Sequence, residues 1–143
     1  MIEASKVVEI LGGRKVFRQS GLSEMQFFDQ INRGLPISAL ESLLAAHLLS
    51  KEEAAWLVVS PRSLARRKQS SRLTPEESDR LARVARLISY AIAVFDDEQK
   101  AAQWLRRSNR ALNQKTPIEL LGTDSGARLV EAVLARIEHG VYS

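Results

Sequence analysis

At Ser23 with Gln26, at Ser50 with Glu53, and at Thr74-Pro75 with Glu77, a hydroxyl side chain stands three residues ahead of a Gln or Glu. Each pair can exchange hydrogen bonds between side chain and backbone in the first turn of a helix, so each marks a helix start. Strand signals, the alternating runs of Val, Ile, Thr and aromatic residues, are missing. The spacing predicts an all-α fold with helices near 3–11, 23–33, 37–48, 51–58, 61–68, 75–95, 98–107, 117–121 and 124–139. Gly12-Gly13, Gly34, Gly122 and Gly140 are the expected stops, because glycine tolerates the left-handed conformation that ends a helix.

Hydrophobic residues make up 45% of the 143, enough to bury a core in one ordinary domain or two small ones. Cysteine is absent, which removes disulfides, thiolate metal sites and a cysteine nucleophile together, and fits a reducing cytoplasm. The opening MIEASKVVEI has no basic region followed by an apolar run, so no secretory leader is expected. The most apolar stretch, residues 81–95, is shorter than a membrane span and is interrupted by Arg83 and Arg86. No membrane association is expected.

Charge is unevenly placed. Residues 1–73 carry 11 Lys and Arg against 7 Asp and Glu, whereas residues 74–143 carry 10 against 10. The segment SPRSLARRKQSSR, residues 60–72, concentrates five positive charges and no negative one. Ser60 suits a helix cap and Pro61 the first helical position, where its missing N–H costs nothing. At about 100° per residue, Arg62, Ser63, Arg66 and Arg67 are expected on one face, with Leu64, Ala65 and the stem of Lys68 opposite. The preceding helix presents Ala54, Leu57 and Val58 as its apolar side, and a tight turn joins the two. Two short helices so joined, the second bearing arginines, form a helix-turn-helix whose second helix suits the major groove. Arginine can bridge guanine O6 and N7 or clamp a phosphate. Ser60, Arg62, Ser63, Arg66, Arg67 and Lys68 are therefore the candidate DNA-binding residues, and a solvated basic surface is the competing reading. Arg72 and Arg14-Lys15-Arg18 are either further phosphate contacts or ordinary surface.

The neutral half predicts a long amphipathic helix with Leu81, Val84, Leu87, Ile88, Ala91, Ile92 and Phe95 inward, and Glu76, Glu77, Asp79, Arg80, Arg83 and Arg86 outward. The last helix is expected to bury Leu129, Val130, Val133, Leu134 and Ile137, with Trp104 an apolar anchor between the two. The segment KQSSR before Thr74 marks the expected boundary between a DNA-binding region, 1–73, and a helical domain, 74–143.

From Leu73 to Gly140 the chain resembles the toxin-binding domain of the MbcA/ParS/Xre antitoxin family. The matching elements are Leu73-Thr74, Glu77-Ser78-Asp79-Arg80-Leu81, Phe95-Asp96, Ala102, Trp104-Leu105, Asn109, Leu112, Thr116-Pro117, Leu120-Leu121, Thr123, Gly126, Val130, Leu134, Arg136-Ile137 and Gly140. Upstream, Gly34-Leu35-Pro36 and Ser60-Pro-Arg-Ser-Leu-Ala-Arg-Arg resemble the Xre-type DNA-binding region. The resemblance implies an antitoxin of a type II toxin–antitoxin system whose partner is a RES-type toxin. Toxins of that class resemble ADP-ribosyltransferases and deplete NAD, and the antitoxin's C-terminal domain covers their active-site cleft. It further implies operator binding at the protein's own promoter, as a homodimer.

Gly140 should end the last helix and leave Val141-Tyr142-Ser143 as a short tail able to enter a cleft; a frayed end is the alternative. With the resemblance, the expected toxin contacts are Leu121, Gly122, Thr123, Arg128, Arg136, Gly140, Val141, Tyr142 and Ser143. No catalytic set emerges: His47 and His139 are far apart, and neither HExxH nor a glycine-rich phosphate loop is present. Asp96-Asp97-Glu98 complements a helix dipole without a metal. Neither an enzymatic role nor a cofactor is expected. Two other readings stand beside the antitoxin: a helix-turn-helix regulator whose C-terminal half only dimerises or senses a ligand, and an interaction module whose basic helix is incidental.

Overall fold

A computed structural model describes residues 3–140. The described residues form nine α-helices: α1 (Ala4–Ile10), α2 (Gly13–Phe17), α3 (Glu24–Arg33), α4 (Ile37–Ala45), α5 (Lys51–Leu57), α6 (Pro61–Ser70), α7 (Pro75–Phe95), α8 (Glu98–Leu105) and α9 (Asp124–Glu138). Two short 3-10 helices, Arg110–Leu112 and Ile118–Gly122, link α8 to α9. The three expected capping boxes all form, at Ser23, Ser50 and Thr74.

The helix α7 organises the rest. It packs against α1, α3, α5, α8, α9 and the 3-10 helix Ile118–Gly122. Residues 87–91 are buried without a break, so neighbours enclose the middle of this helix on all sides. Its Ala82, Ala85 and Ala91 keep the backbone accessible to close neighbours. Fully buried Leu11, Leu40, Leu57, Leu87, Leu105 and Leu134 belong to one continuous core that draws on both halves of the chain.

Several expectations need correction. Gly12 does break α1, at φ 111°, but the chain coils again at once into α2, beginning at Gly13. A Cβ at Gly12 would strike Val16 and the Ser42 hydroxyl, so this corner depends on glycine. The basic helix α6 runs on through Gln69 to Ser70. The residues after it are bonded back to the chain: the Ser71 carbonyl accepts from Ile37 N–H at 3.0 Å, and Leu73 N–H donates to the Leu35 carbonyl at 2.9 Å. The buried Ser78 hydroxyl accepts from Leu35 N–H at 2.6 Å and pins the same segment to α7.

Glu77 is not on an outward face but buried, because Arg67 reaches it from α6. Arg83 is also largely covered: its side chain is 11% exposed beside Asp79. Leu129, expected in the core, is 56% exposed. It sits at the edge of the α9 stripe, and no neighbouring element of the described chain closes over that edge.

Gly126 in the first turn of α9 is a sensitive position. A Cβ there would meet the Leu120 carbonyl and the Thr123 hydroxyl. Helix propensity alone favours Gly126→Ala by about 1 kcal/mol. Overpacking against backbone costs about 1–3 kcal/mol, so the substitution should lower stability in a urea titration instead of raising it.

Candidate functional site

The α5–α6 unit is built from caps outward. The Ser50 hydroxyl accepts from Glu53 N–H, and Glu53 returns the bond to Ser50 N–H at 3.0 Å. The turn Val58-Val59-Ser60 buries both valines, and Ser60 then caps α6 by accepting from Ser63 N–H at 3.2 Å. Arg80 of α7 donates to the Val58 carbonyl at 2.9 Å, which holds the turn against the long helix. A groove of about 480 Å³ separates α4, α5 and α6, with Leu40, Leu44, Ala54 and Leu64 among its walls and Lys68 at one side.

None of the residues of α6 is fully buried. Arg62, Arg66 and Lys68 are exposed, and none of the three forms an ion pair among the described residues. Ser63 is half-buried, and its hydroxyl lies 3.3 Å from Arg66 Nη2. Arg67 departs from the expected facing. It lies about 140° around the helix from Arg62, on the side that Leu64 turns inward. There its Nε and Nη2 donate to the two carboxylate oxygens of Glu77 at 2.9 and 3.1 Å. Arg72 is also engaged, donating to the Gly34 carbonyl at 2.7 Å. Arg14, Lys15 and Arg18 are exposed on and just after α2.

Two capping carboxylates thus do a second job. Glu77 caps α7 through Thr74 while it receives Arg67. Glu53 caps α5 while it receives Arg106, from the end of α8, through Nε at 2.9 Å and Nη2 at 2.8 Å. Arg106 also donates to the Leu48 carbonyl at 3.2 Å. Burial raises both carboxyl pKa values, but the hydrogen bonds from Arg67 and Thr74, and from Arg106 and Ser50, outweigh it. Both groups end below the ordinary carboxylate value of 4.5.

Packed beside α5, the 3-10 helix Ile118–Gly122 leads into α9. Leu121 is wholly buried, so its side chain offers no contact surface; its carbonyl faces Arg83 Nε at 3.4 Å. Gly122 is half-buried and Thr123 exposed, the latter capping α9 by accepting from Gly126 N–H at 3.0 Å. Arg128 is exposed and pairs with Asp124 at 2.9 Å, while Arg136 and Gly140 are exposed. The expected contacts at Val141, Tyr142 and Ser143 lie outside the described residues. Leu129 joins Arg128, Ala132 and Arg136 in one exposed stripe of α9, a member that hydrophobic spacing hid by assigning it to the core. The end of α9 is held to α7 by Tyr90, whose hydroxyl donates to Glu138 at 2.8 Å. Burial, reinforced by Glu138 and Glu131, pushes this phenol up to about 12.

The model of the antitoxin Xre-like helix-turn-helix domain matches residues 26–86, which contain α5 and α6. That of the antitoxin Xre/MbcA/ParS C-terminal toxin-binding domain matches residues 91–140. Antitoxin Xre of Photorhabdus laumondii is 35% identical over 116 residues, covering 79% of this chain and 78% of the relative. Antitoxin Xre of Yersinia enterocolitica is 34% identical over 136 residues, covering 91% and 92%. Antitoxin Xre of Pseudomonas putida is 30% identical over 118 residues, covering 82% and 74%. The chain belongs to the Xre/MbcA/ParS antitoxin family. In this antitoxin the join between the two family domains falls inside α7, so the helix-turn-helix and the toxin-binding domain share one buried helix.

The depressed carboxyl groups make a pH prediction. A group whose folded pKa lies below its unfolded value stabilises the fold above the unfolded pKa and loses that contribution as pH falls through the folded one. Stability should therefore drop over the acid interval that begins near the ordinary carboxylate value of 4.5 and runs downward. The double variant Glu53→Gln/Glu77→Gln should be less stable than the parent at pH 7 and should lose less over that interval, measured by urea unfolding at each pH.

Proposed function

We propose that this antitoxin has two faces on one rigid core: α6 binds its own promoter DNA, and the α9 side neutralises a RES-type, NAD-degrading toxin by covering its active site. The observation that carries the DNA half is the exposed pair Arg62 and Arg66, one helical turn apart on α6 and free of ion pairs among the described residues. A helix of ten residues is about 15 Å long and fits a major groove about 12 Å wide. Ser60 and Ser63 at its start and Lys68 at its side complete the contact set, against phosphates. The DNA-contacting helix lies within residues 1–73 and the toxin contacts within residues 74–143, while α7, on which both rest, carries the join of the two family domains.

For the toxin, the contact runs from Gly122 and Thr123 across Arg128, Leu129 and Arg136 to Gly140 and the tail Val141-Tyr142-Ser143. A half-apolar stripe flanked by arginines suits a protein surface better than a nucleic acid. The protein acts without a cofactor, catalyses no reaction, and works as a homodimer in the cytoplasm. The exposed Leu129 also supports a second reading, in which α9 only joins two copies of a transcriptional regulator.

The deciding measurement is cellular NAD during expression of the adjacent gene, alone, with the full chain, and with a chain ending at Gly140. Preservation of NAD by the full chain and not by the shortened one supports neutralisation with the tail taking part. A harmless neighbour with unchanged NAD moves the regulator reading ahead. On the DNA side, Arg62→Ala and Arg66→Ala should each weaken promoter binding by about 1–3 kcal/mol and leave the helical circular dichroism unchanged. Unaltered affinity in both variants would displace α6 as the reading helix.

A further inference from the structure

The basic helix α6 carries three arginines, but they are not equivalent. Arg62 and Arg66 point to solvent, whereas the Arg67 side chain is 25% exposed and meets a Glu77 side chain that is 6% exposed. The contact is bidentate, with both carboxylate oxygens engaged at 2.9 and 3.1 Å. A planar guanidinium locked on two oxygens fixes both the distance and the rotation of the helix that carries it.

The end of α6 is tied through Ser71 to Ile37 and through Arg72 to the Gly34 carbonyl, but little else within the helix fixes it. It buries no residue completely, and Leu64 is its half-buried apolar contact. A groove lies along one side of it, between α4 and α5. The turn before it is tied to α7 through Arg80 and the Val58 carbonyl, but that bond lies ahead of the helix. Between its tied ends, the rotation of α6 about its own axis is set by the Leu64 packing contact and by the Arg67–Glu77 pair, and only the pair is a directional, bidentate contact made from within the helix. Any such rotation would sweep Arg62 and Arg66 away from a groove they were set to enter.

We propose that Arg67 is a positioning residue of the DNA-reading helix and not one of its DNA contacts: its clamp on Glu77 of α7 holds α6 in the rotation that presents Arg62 and Arg66. This rests on the reading of α6 as the DNA-binding helix. Glu77 lies on α7, the helix that also forms the core beneath α8 and α9, so the reading helix is oriented by the element the toxin-binding domain is built on.

The test uses the full-length protein and a labelled duplex covering the region immediately upstream of its own gene, with a scrambled duplex of equal length as control. Arg67→Gln, Glu77→Gln and the double variant are titrated over a range of salt concentrations. A positioning role predicts that each single variant weakens binding to the upstream duplex about fivefold. The double variant should be no weaker than either single one, and the salt dependence should match the parent, since no phosphate contact is lost. Arg67→Lys, which keeps the charge but not the fork, should fail to restore affinity.

A direct contact predicts otherwise. Arg67→Gln would flatten the slope of log affinity against log salt by about one, Arg67→Lys would restore binding, and Glu77→Gln would leave it unchanged or tighten it. That pattern overturns the proposal. Should a glutamine variant lose its helical circular dichroism, Arg67→Lys alone decides, since restored or weakened affinity in a folded chain separates the two roles. Parent protein that fails to distinguish the upstream from the scrambled duplex, with Arg62→Ala and Arg66→Ala equally indifferent, would remove the DNA reading itself and the clamp's role with it.

Discussion

The burial of one helix on all sides is the constraint from which the rest of this structure follows. Between Leu87 and Ala91 every residue of α7 is covered, an arrangement possible only if elements from both ends of the chain close around it. The helices α1, α3 and α5 from the first part of the chain and α8 with α9 from the second all pack against it. Apolar burial at roughly 25 cal/mol per Å² rewards that enclosure. It also leaves little scope for the two family domains to move independently, since both rest on the same helix.

Polar contacts then decide how the peripheral helices sit on this axis. Glu53 and Glu77 each cap their own helix and also bind an arginine from another element. A carboxylate already held by a cap loses little further freedom on pairing, so its bidentate arginine contact is better organised than an ordinary surface ion pair. Arg106 ties the end of α8 to α5, and Arg67 ties α6 to α7. Both α5 and α6 are thus anchored to residues beyond Thr74.

The helices themselves were legible because capping chemistry and apolar spacing are local. Ser23, Ser50 and Thr74 each began a helix where their partners three residues on required it. The short α2 was missed because Gly12-Gly13 reads as a stop, and only the first of the two glycines acts as one. The exposed pair Arg62 and Arg66 could be placed on one face from helical geometry alone. Arg67 and Leu129 could not be placed, because each sits at the border of its helix's faces, where the angle about the axis does not say which neighbour is present.

By itself the sequence determined an all-helical chain, the start of each major helix, a basic helix after a tight turn, and membership of an antitoxin family. Those features depend on residues within a few positions of one another, or on patterns shared with relatives. Only the tertiary structure decided that Glu77 is buried and takes Arg67, that Leu121 is core, and that Leu129 faces solvent. Helical periodicity gives the direction of a side chain from its own axis; whether that direction meets water, a carboxylate or another helix depends on segments distant in the chain that packing brings alongside.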